Sequence, residues 1–532
     1  MATTTSLRAR RSEAQLHALA GVEREIRVTD PGGRRKYLQD FTRAFRSYDS
    51  VLTAERLRTQ VNAADVILIG DYHALPAAQR FAASLFEERC QPGDRPVVLG
   101  LETIFSRDQH ILDEWWRREI GEDELRRRIR FDLDWGYDWT PFYELLVTAR
   151  EHAEGLYGLD CMPREDLRKI GARDRHAAHK ISELRERHAG AVIVVLFGES
   201  HLAPGHLPRL LREQMPETRL LTMLQNVDAL YWRAAGEQHE RVEAVQVSDD
   251  VVCAFNATPL EKYENYRLHL SRWGRNEDDG PDLVPTVYNL IDSLLRFLQI
   301  NRYSSRNGTQ PKFLVDLLPE VIAGPEDHLR RLLVREGITE ARQGPTLAAV
   351  EEHGCLYLPH WNAVYVRDFQ MVYAAEEAAR FLHHACRGLP QRRAATAPGD
   401  ADSFYIRSVE HALAFFGSRV LYPARTAADG DEELSRSFCE AAFEGIREGD
   451  PAAAECGAQR LGYRIGSDLY QAYLAGSVSR GRLRRFFLAG LEERGRALEV
   501  CCELIACGRV GRKKRPQSER LNGTGGQRLS AG

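Results

Sequence analysis

The 532-residue chain holds no run near the ~20 uninterrupted apolar residues that a membrane helix needs. Its first residues, MATTTSLRARRSEAQLHALAG, are basic and carry no apolar core before a small-residue cleavage site. They lack the build of a secretory leader, and no Cys lies close enough to the start for a lipid anchor, so a cytoplasmic protein is the expectation. The ten cysteines are scattered, only Cys501 and Cys502 are adjacent, and no CxxC occurs. This predicts reduced, mostly buried thiols. Charge of one sign is missing too: 73 Lys and Arg stand against 77 Asp and Glu, a net of -4. Such a balance sets up no field for wholesale binding of nucleic acid, which is not an expected partner. No segment repeats at a fixed period.

The chain does have ordinary globular proportions, 43% apolar and 28% charged. At roughly 100–200 residues per domain, its length predicts about three domains. Residues 1–50 read as a helical extension, two short helices around the turn at Asp30 to Gly33. Residues 51–275 alternate short apolar runs with amphipathic stretches. The runs are Val66–Gly70, Pro96–Glu102, Leu156–Asp160, Ala191–Gly198 and Arg219–Met223. Helical sequence lies between them, at Pro76 to Arg89, through Ile111 and Trp115 to Ile129, at Arg164 to His188 and at Leu207 to Met215. Alternation of this kind predicts an α/β fold, a mostly parallel sheet with flanking helices. Val242–Val247 and Val251–Phe255 read as a closing β pair.

From Pro281 the period changes to that of helices, and Pro281 to Ile505 is predicted to be all-helical: a middle region at 281–387, a linker at 388–402 and a second region at 403–507. The helical stretches are Leu290–Leu298, Glu326–Arg335, Val372–Cys386, Ser408–Phe416, Glu432–Ile446 and Leu483–Ile505. Residues 508–532, with Arg512-Lys-Lys-Arg515, read as a disordered basic tail.

Open parallel sheets bind ligands beyond the carboxyl ends of their strands. The first run is followed by Gly70-Asp71-Tyr72-His73, the second ends in Glu102, the third in Asp160, and the fourth leads into Gly198-Glu199-Ser200-His201. Two strands thus deliver the same Gly-x-x-His spacing to one edge, with Glu102 between them. Gly permits a sharp exit from the strand. Two imidazoles and a carboxylate converging there suit a divalent metal such as Zn, Mn, Co or Fe, with His73, Glu102 and His201 as the ligands.

The segment from about Ala63 to Ala235 resembles the ChaN-like haem-binding uptake domain of the Tiki superfamily, which also takes in TraB-type and erythromycin-esterase-like proteins. The matching stretches are GDYH at Gly70–His73, LGLE at Leu99–Glu102, LDCMPRED at Leu159–Asp166, ARDRHAAHKI at Ala172–Ile181 and FGESHLAPGHLP at Phe197–Pro208. The resemblance implies a protein that binds haem or iron with His73, Glu102 and His201 as the core of the site, and Tyr72 beside His73 is a further candidate for holding the cofactor. It also implies a second function, a metal-dependent esterase- or peptidase-like hydrolase. There Glu199 is the general base, Arg173 stabilises a developing anion, and Asp71 takes a place where many relatives have Glu. Arg173 and Asp174 match a polar pair on the helix before the fourth strand. The partner implied is a haem or small-molecule ligand, and a homodimer is left open.

Further candidates carry alternatives. Asp160 is a site carboxylate or a helix cap. His206 is an extra ligand or a loop histidine. Tyr72, Tyr137 and Tyr143 are of a type that can ligate haem iron, or they pack. Trp115, Trp116, Trp135 and Trp139 cover the site or fill the core, and Cys161 is a thiol ligand or a small buried residue. Arg126-Arg-Arg128 attracts an anion or is a solvated face. His328, His353, His360, His383, His384 and His411 lack the paired motif and are not expected to supply ligands; His360, in a loop-like segment, is the one to watch.

Overall fold

In the computed structural model the described residues are 7–30, 36–90, 95–161, 170–238, 241–272, 281–301, 317–335, 337–387, 401–427 and 451–513. They fall into two units, one over residues 26–270 and the other over 7–25 and 271–513.

The first unit contains helix α2 (Lys36–Ala44), strand β1 (Ser50–Leu52) and helix α3 (Ala54–Ala63). It continues with β2 (Val66–Asp71), α4 (Pro76–Arg89), β3 (Val97–Phe105), α5 (Gln109–Trp116), α6 (Glu122–Arg128), α7 (Phe131–Asp134) and α8 (Trp139–His152). Next come β4 (Gly155–Asp160), α9 (Ile170–Arg187), β5 (Val192–Gly198), α10 (Leu207–Gln214), β6 (Leu220–Gln225) and α11 (Asp228–Glu237). The hairpin β7 (Ala244–Ser248) and β8 (Val251–Ala254) and the helix α12 (Pro259–Arg272) close it. The eight strands form one sheet in the order β1-β7-β8-β6-β2-β5-β3-β4. β8, β6, β2, β5, β3 and β4 run parallel, and β7 is antiparallel to both its neighbours.

Alternate residues of the buried strands serve opposite faces. Ile67, Ile69, Leu99, Val194 and Leu196 pack with Phe86, Trp115, Phe131 and Leu145 on one side. Val66, Leu68, Val98, Ile193 and Val195 pack with Ile181, Leu211 and Leu230 on the other. Helices on both faces explain why the runs are apolar throughout. The long helix expected through Ile111 to Ile129 is broken instead between α5 and α6, where Arg118 adopts a positive φ of 64°.

Helix α1 (Leu7–Thr29) ends just before the expected turn at Asp30 and α2 begins after it, so the two expected helices are present; α1, at 23 residues, is longer than expected, and its first nineteen described residues go with the second unit. Ala14, Ala18, Leu19 and Val22, spaced along one helical stripe, are buried. That unit continues with α13 (Val284–Leu298), β9 (Glu320–Ala323), α14 (Glu326–Arg335), α15 (Glu340–His353), β10 (Cys355–Leu358), β11 (Ala363–Val366), α16 (Met371–Arg387) and α17 (Ala401–Leu421). Helices Pro451–Leu474, Arg480–Phe487 and Arg496–Lys513 end it.

The expectation that Pro281 to Ile505 is all-helical is corrected, because β10 and β11 form a hairpin and β9 adds to it in parallel. Cys355-Leu-Tyr-Leu and Ala363-Val-Tyr-Val are rich in β-formers, but four residues are too few to reveal a period. His360 lies in the hairpin's turn. Helix Pro451–Leu474 lies so close to α17 that a Cβ at Gly462 would stand 2.4 Å from the His411 Cβ. Helix Arg496–Lys513 carries order past the expected start of the tail at 508. The stretch Glu432–Ile446, residues 388–400 of the linker and residues 514–532 lie outside the described residues. Among the described residues no helix is long and apolar enough to cross a membrane.

Candidate functional site

The carboxyl ends of β2, β5, β3 and β4, adjacent in the sheet, place the expected residues together. β2 ends on Asp71, which is buried, and the chain turns through Tyr72 to His73 before Pro76 opens α4. His73 Nδ1 is 2.7 Å from Asp71 Oδ2, and its Nε2 is 3.5 Å from Glu102 Oε2. After β5, His201 is arranged as a counterpart: its Nδ1 is 2.5 Å from Asp174 Oδ1 and its Nε2 is 3.6 Å from Glu102 Oε1. Two imidazoles, each with Nδ1 on a buried aspartate, therefore present Nε2 to one carboxylate. The short Nδ1 contacts are hydrogen bonds that favour Nδ1–H on each ring, whereas each Nε2, 3.5 and 3.6 Å from Glu102, makes no close hydrogen bond.

Glu102 is itself held. Arg173 Nη2 donates to its Oε1 at 2.5 Å, and the Gly198 backbone N–H donates to its Oε2. Arg173 also grips Asp160, Nη2 at 2.6 Å from Oδ2 and Nε at 3.0 Å from Oδ1. Burial would push the Glu102 carboxyl up, but Arg173 and then His73 and His201 outweigh it and bring it down to about 2. At Asp160 burial prevails over Arg173, and its carboxyl is raised. The guanidinium between them is held above its ordinary value by both carboxylates against the effect of burial. Arg173 and Asp174 are consecutive on α9 yet serve different partners, the carboxylates of β3 and β4 and the imidazole after β5.

Glu199 meets a residue that carried no sequence signal. Lys262, from α12 and 3% exposed, places Nζ 3.1 Å from both Glu199 oxygens and 4.5 Å from the Tyr72 ring centroid. Burial lifts the Glu199 carboxyl against the pull of Lys262. Burial pulls the Lys262 ammonium down, but Glu199 and Asp228 more than offset it, leaving it above its ordinary value. Burial likewise raises the Tyr72 hydroxyl well above its usual range. A lysine on an amphipathic helix reads as solvated, so only the fold reveals this ion pair.

These groups line a half-open cleft of about 150 Å³, walled by Asp71, Tyr72, His73, Glu102, Arg173, Glu199 and His201, with Tyr137, Leu38 and Tyr266 also contributing. His206 does not join the cleft lining; its Nδ1 is 3.0 Å from Asp174 Oδ2. Tyr143 stands apart, packed on Trp139 and Trp115. Trp115, Trp135 and Trp139 are buried in the core, and Trp135 also lies 5.2 Å from the His73 ring. Cys161, a free thiol raised by burial and by Asp160, does not line the cleft. Arg126 and Arg128 are taken by ion pairs with Asp132 and Glu114. Among the described residues no three His, Cys, Asp or Glu groups are spaced to hold a metal ion as they stand.

The family described as haem-binding uptake, Tiki superfamily, ChaN matches residues 57–189. That segment is similar to a ChaN-type domain. The match covers β2 to α9, and so His73, Glu102, Asp160, Arg173 and Asp174, and stops short of the second motif at Gly198–His201. A solved structure described as cofacial heme binding to ChaN of Campylobacter jejuni is similar at 16% identity and a TM-score of 0.26, over 38% of this chain and 91% of that one. No curated protein matches.

Gly198 is tightly packed against the cleft. A Cβ there would lie 2.9 Å from Glu102 Oε2 and 3.4 Å from His73 Nε2. Glu102 is pinned by Arg173 and has little room to retreat. Gly198→Ala should therefore cost ~1–3 kcal/mol through overpacking. The measurement is the thermal unfolding midpoint; a variant as stable as the parent would mean that Glu102 is free to move.

Proposed function

We propose that the α/β unit binds haem or its iron at the cleft, with His73 Nε2 as the protein ligand. One observation carries this: both imidazoles have Nδ1 fixed by a buried aspartate and Nε2 turned to the cleft. A carboxylate on the far nitrogen fixes the tautomer and raises the basicity of a ligating histidine. His73 is the more open of the two, its side chain 12% exposed against 4% for His201. The charges agree. Asp71, Glu102, Asp160, Asp174 and Glu199 gather here, and among the described residues only Arg173 and Lys262 meet them as fixed cations. An excess of buried negative charge favours a cationic centre. A cleft of about 150 Å³ admits a ligating atom and does not enclose a macrocycle, which accords with a ligand that lies at the mouth. The family that matches residues 57–189 is described as haem-binding. Bound iron would supply Lewis-acid and redox chemistry.

A second reading is a bare divalent ion, Zn, Mn, Co or Fe, serving hydrolysis with Glu199 as base. It is favoured by the approach of both Nε2 atoms to one carboxylate at 3.5 and 3.6 Å. Against it, Arg173 and the Gly198 N–H already occupy the Glu102 oxygens.

Hemin titration of the purified full chain tests the first reading. A saturable Soret shift is expected, weakened in His73→Ala. No shift, or one unchanged in both His73→Ala and His201→Ala, would reject it. Elemental analysis tests the second: stoichiometric metal with hydrolysis of ester or peptide substrates would favour it over haem.

A further inference from the structure

The two aspartates behind the site are each held by a second donor. Asp71 offers Oδ2 to His73 and accepts from Gln79 Nε2 at Oδ1. Asp174 offers Oδ1 to His201 and accepts from His206 Nδ1 at Oδ2, 3.0 Å away. The same device thus occurs twice, built from unlike residues on unlike elements. Gln79 belongs to the first turn of α4, and His206 immediately precedes α10.

We propose that Gln79 and His206 are positioning residues, which lock Asp71 and Asp174 and so fix Nδ1–H on His73 and His201, leaving each Nε2 free for the ligand. This rests on the reading of those two histidines as the donors of the cleft.

A carboxylate with one hydrogen bond can swing about its bond to Cβ. With both oxygens engaged it cannot, and the imidazole it faces keeps one tautomer and one ring orientation. Gln79 shows the cost of the arrangement. It is fully buried, and its Oε1 has no hydrogen-bond partner. A half-satisfied buried amide destabilises a fold relative to an apolar side chain of the same size. At a position that served packing alone, Leu or Met would be the better residue. The amide's single hydrogen bond is the one to Asp71. The neighbouring backbone is fixed independently, by Gln225 Nε2 donating to Gly70 O at 2.8 Å and to Ala78 O at 3.1 Å. Gln79 is thus not needed to join β2 to α4. On the other side His206 keeps one edge toward solvent, its side chain 18% exposed, while Asp174 is buried.

The test uses the full chain labelled with ¹⁵N-histidine, whose long-range ¹H–¹⁵N spectrum reports the tautomer of each ring without any ligand. His73→Ala and His201→Ala assign the two signals. In the parent both rings should be Nδ1–H. Gln79→Leu should turn His73 into a tautomer mixture and leave His201 alone; His206→Leu should do the converse. His206→Gln, whose amide can still donate to Asp174, should restore the parent pattern. Hemin affinity should follow, falling about 10–100-fold in the Leu variants and recovering in His206→Gln. Gln79→Met, nearest in shape, replaces Gln79→Leu if that variant does not fold. Unchanged tautomers in the Leu or Met variants would overturn the proposal, as would a His206→Gln variant that behaves as His206→Leu. If the tautomers move as expected and the parent binds neither hemin nor metal, the positioning roles stand and the ligand reading falls.

Discussion

Arg173→Met is expected to lower the thermal unfolding midpoint by about 10 °C. The guanidinium is almost fully buried, 6% exposed, and bridges two carboxylates that are buried as well. Its removal leaves Glu102 and Asp160 facing each other without a counter-charge. Breaking a buried ion pair by deleting one partner costs ~3–5 kcal/mol, because the charge left behind can neither hydrate nor pair. For units of 150–250 residues each kcal/mol moves the midpoint by about 2–4 °C. The effect should be specific in its repair. Arg173→Met combined with Asp160→Asn removes one of the two stranded charges and should recover part of the loss. Arg173→Lys keeps the charge but cannot span both carboxylates with a planar fork, so it should fall between parent and Met. A midpoint for Arg173→Met within about 2 °C of the parent would mean that the triad contributes nothing and that the carboxylates find water or protons instead.

That triad also marks how far the sequence reaches. Strand ends were legible because β2, β4 and β5 are short apolar runs that stop on Asp or Gly, while β3 runs three residues past the expected end at Glu102, to Phe105. A parallel sheet then brings their carboxyl ends together whatever lies between. Two Gly-x-x-His motifs in register with Glu102 were enough to place His73, Glu102 and His201 on one cleft. Arg173 and Asp174 could be singled out only through the family resemblance. Nothing in their spacing tells that one turns to β3 and β4 and the other to His201.

What escaped was held by contacts between distant segments. Lys262 lies 63 residues after Glu199 on a helix that reads as solvated, and Gln79 sits on a face of α4 occupied otherwise by Ala78, Ala82 and Phe86. A single polar residue on an apolar stripe gives no sign of its partner. The three-stranded sheet of β9, β10 and β11 was hidden by its brevity, since four residues fit either period.

The second large effect concerns the helical unit, which should lose stability as the pH falls from 7 to 5. Helix α16 carries Glu376, Glu377, Arg380, His383, His384 and Arg387, and α17 adds Glu410 and His411. His384 Nε2 is 3.4 Å from Glu410 Oε1, which Arg387 also grips at 2.7 Å. His411 Nε2 is 3.0 Å from Glu455 Oε1, and Arg380 pairs with Glu376 and Glu377 at 3.2 and 3.1 Å. Burial drives His384 down to about 4, with Glu410 opposing and Arg387 assisting. Burial also lowers His353, His411 and, well below its ordinary value, His383, neither of whose ring nitrogens has a hydrogen-bond partner. In the unfolded chain each of these titrates near 6.5.

Between about 6.5 and 4 the unfolded chain therefore binds protons that the folded one refuses, and stability present at pH 7 drains as the pH drops. For His384 alone the loss by pH 5 is about 2 kcal/mol. The carboxylates add to it only lower down. Glu376 and Glu455, which burial would raise, are brought to about 2 by Arg425 and Arg380 and by His411 and Arg407, so their contribution fades below their ordinary 4.5. The check is the urea midpoint of the full chain followed by far-UV circular dichroism at pH 7 and pH 5, for the parent and for His384→Gln. A glutamine can still donate to Glu410 and does not titrate. The parent should lose stability between the two values, and His384→Gln should lose about 2 kcal/mol less. Equal losses in parent and variant would show that His384 takes up its proton in the folded state at its ordinary pKa, and that the α16–α17 seam admits water.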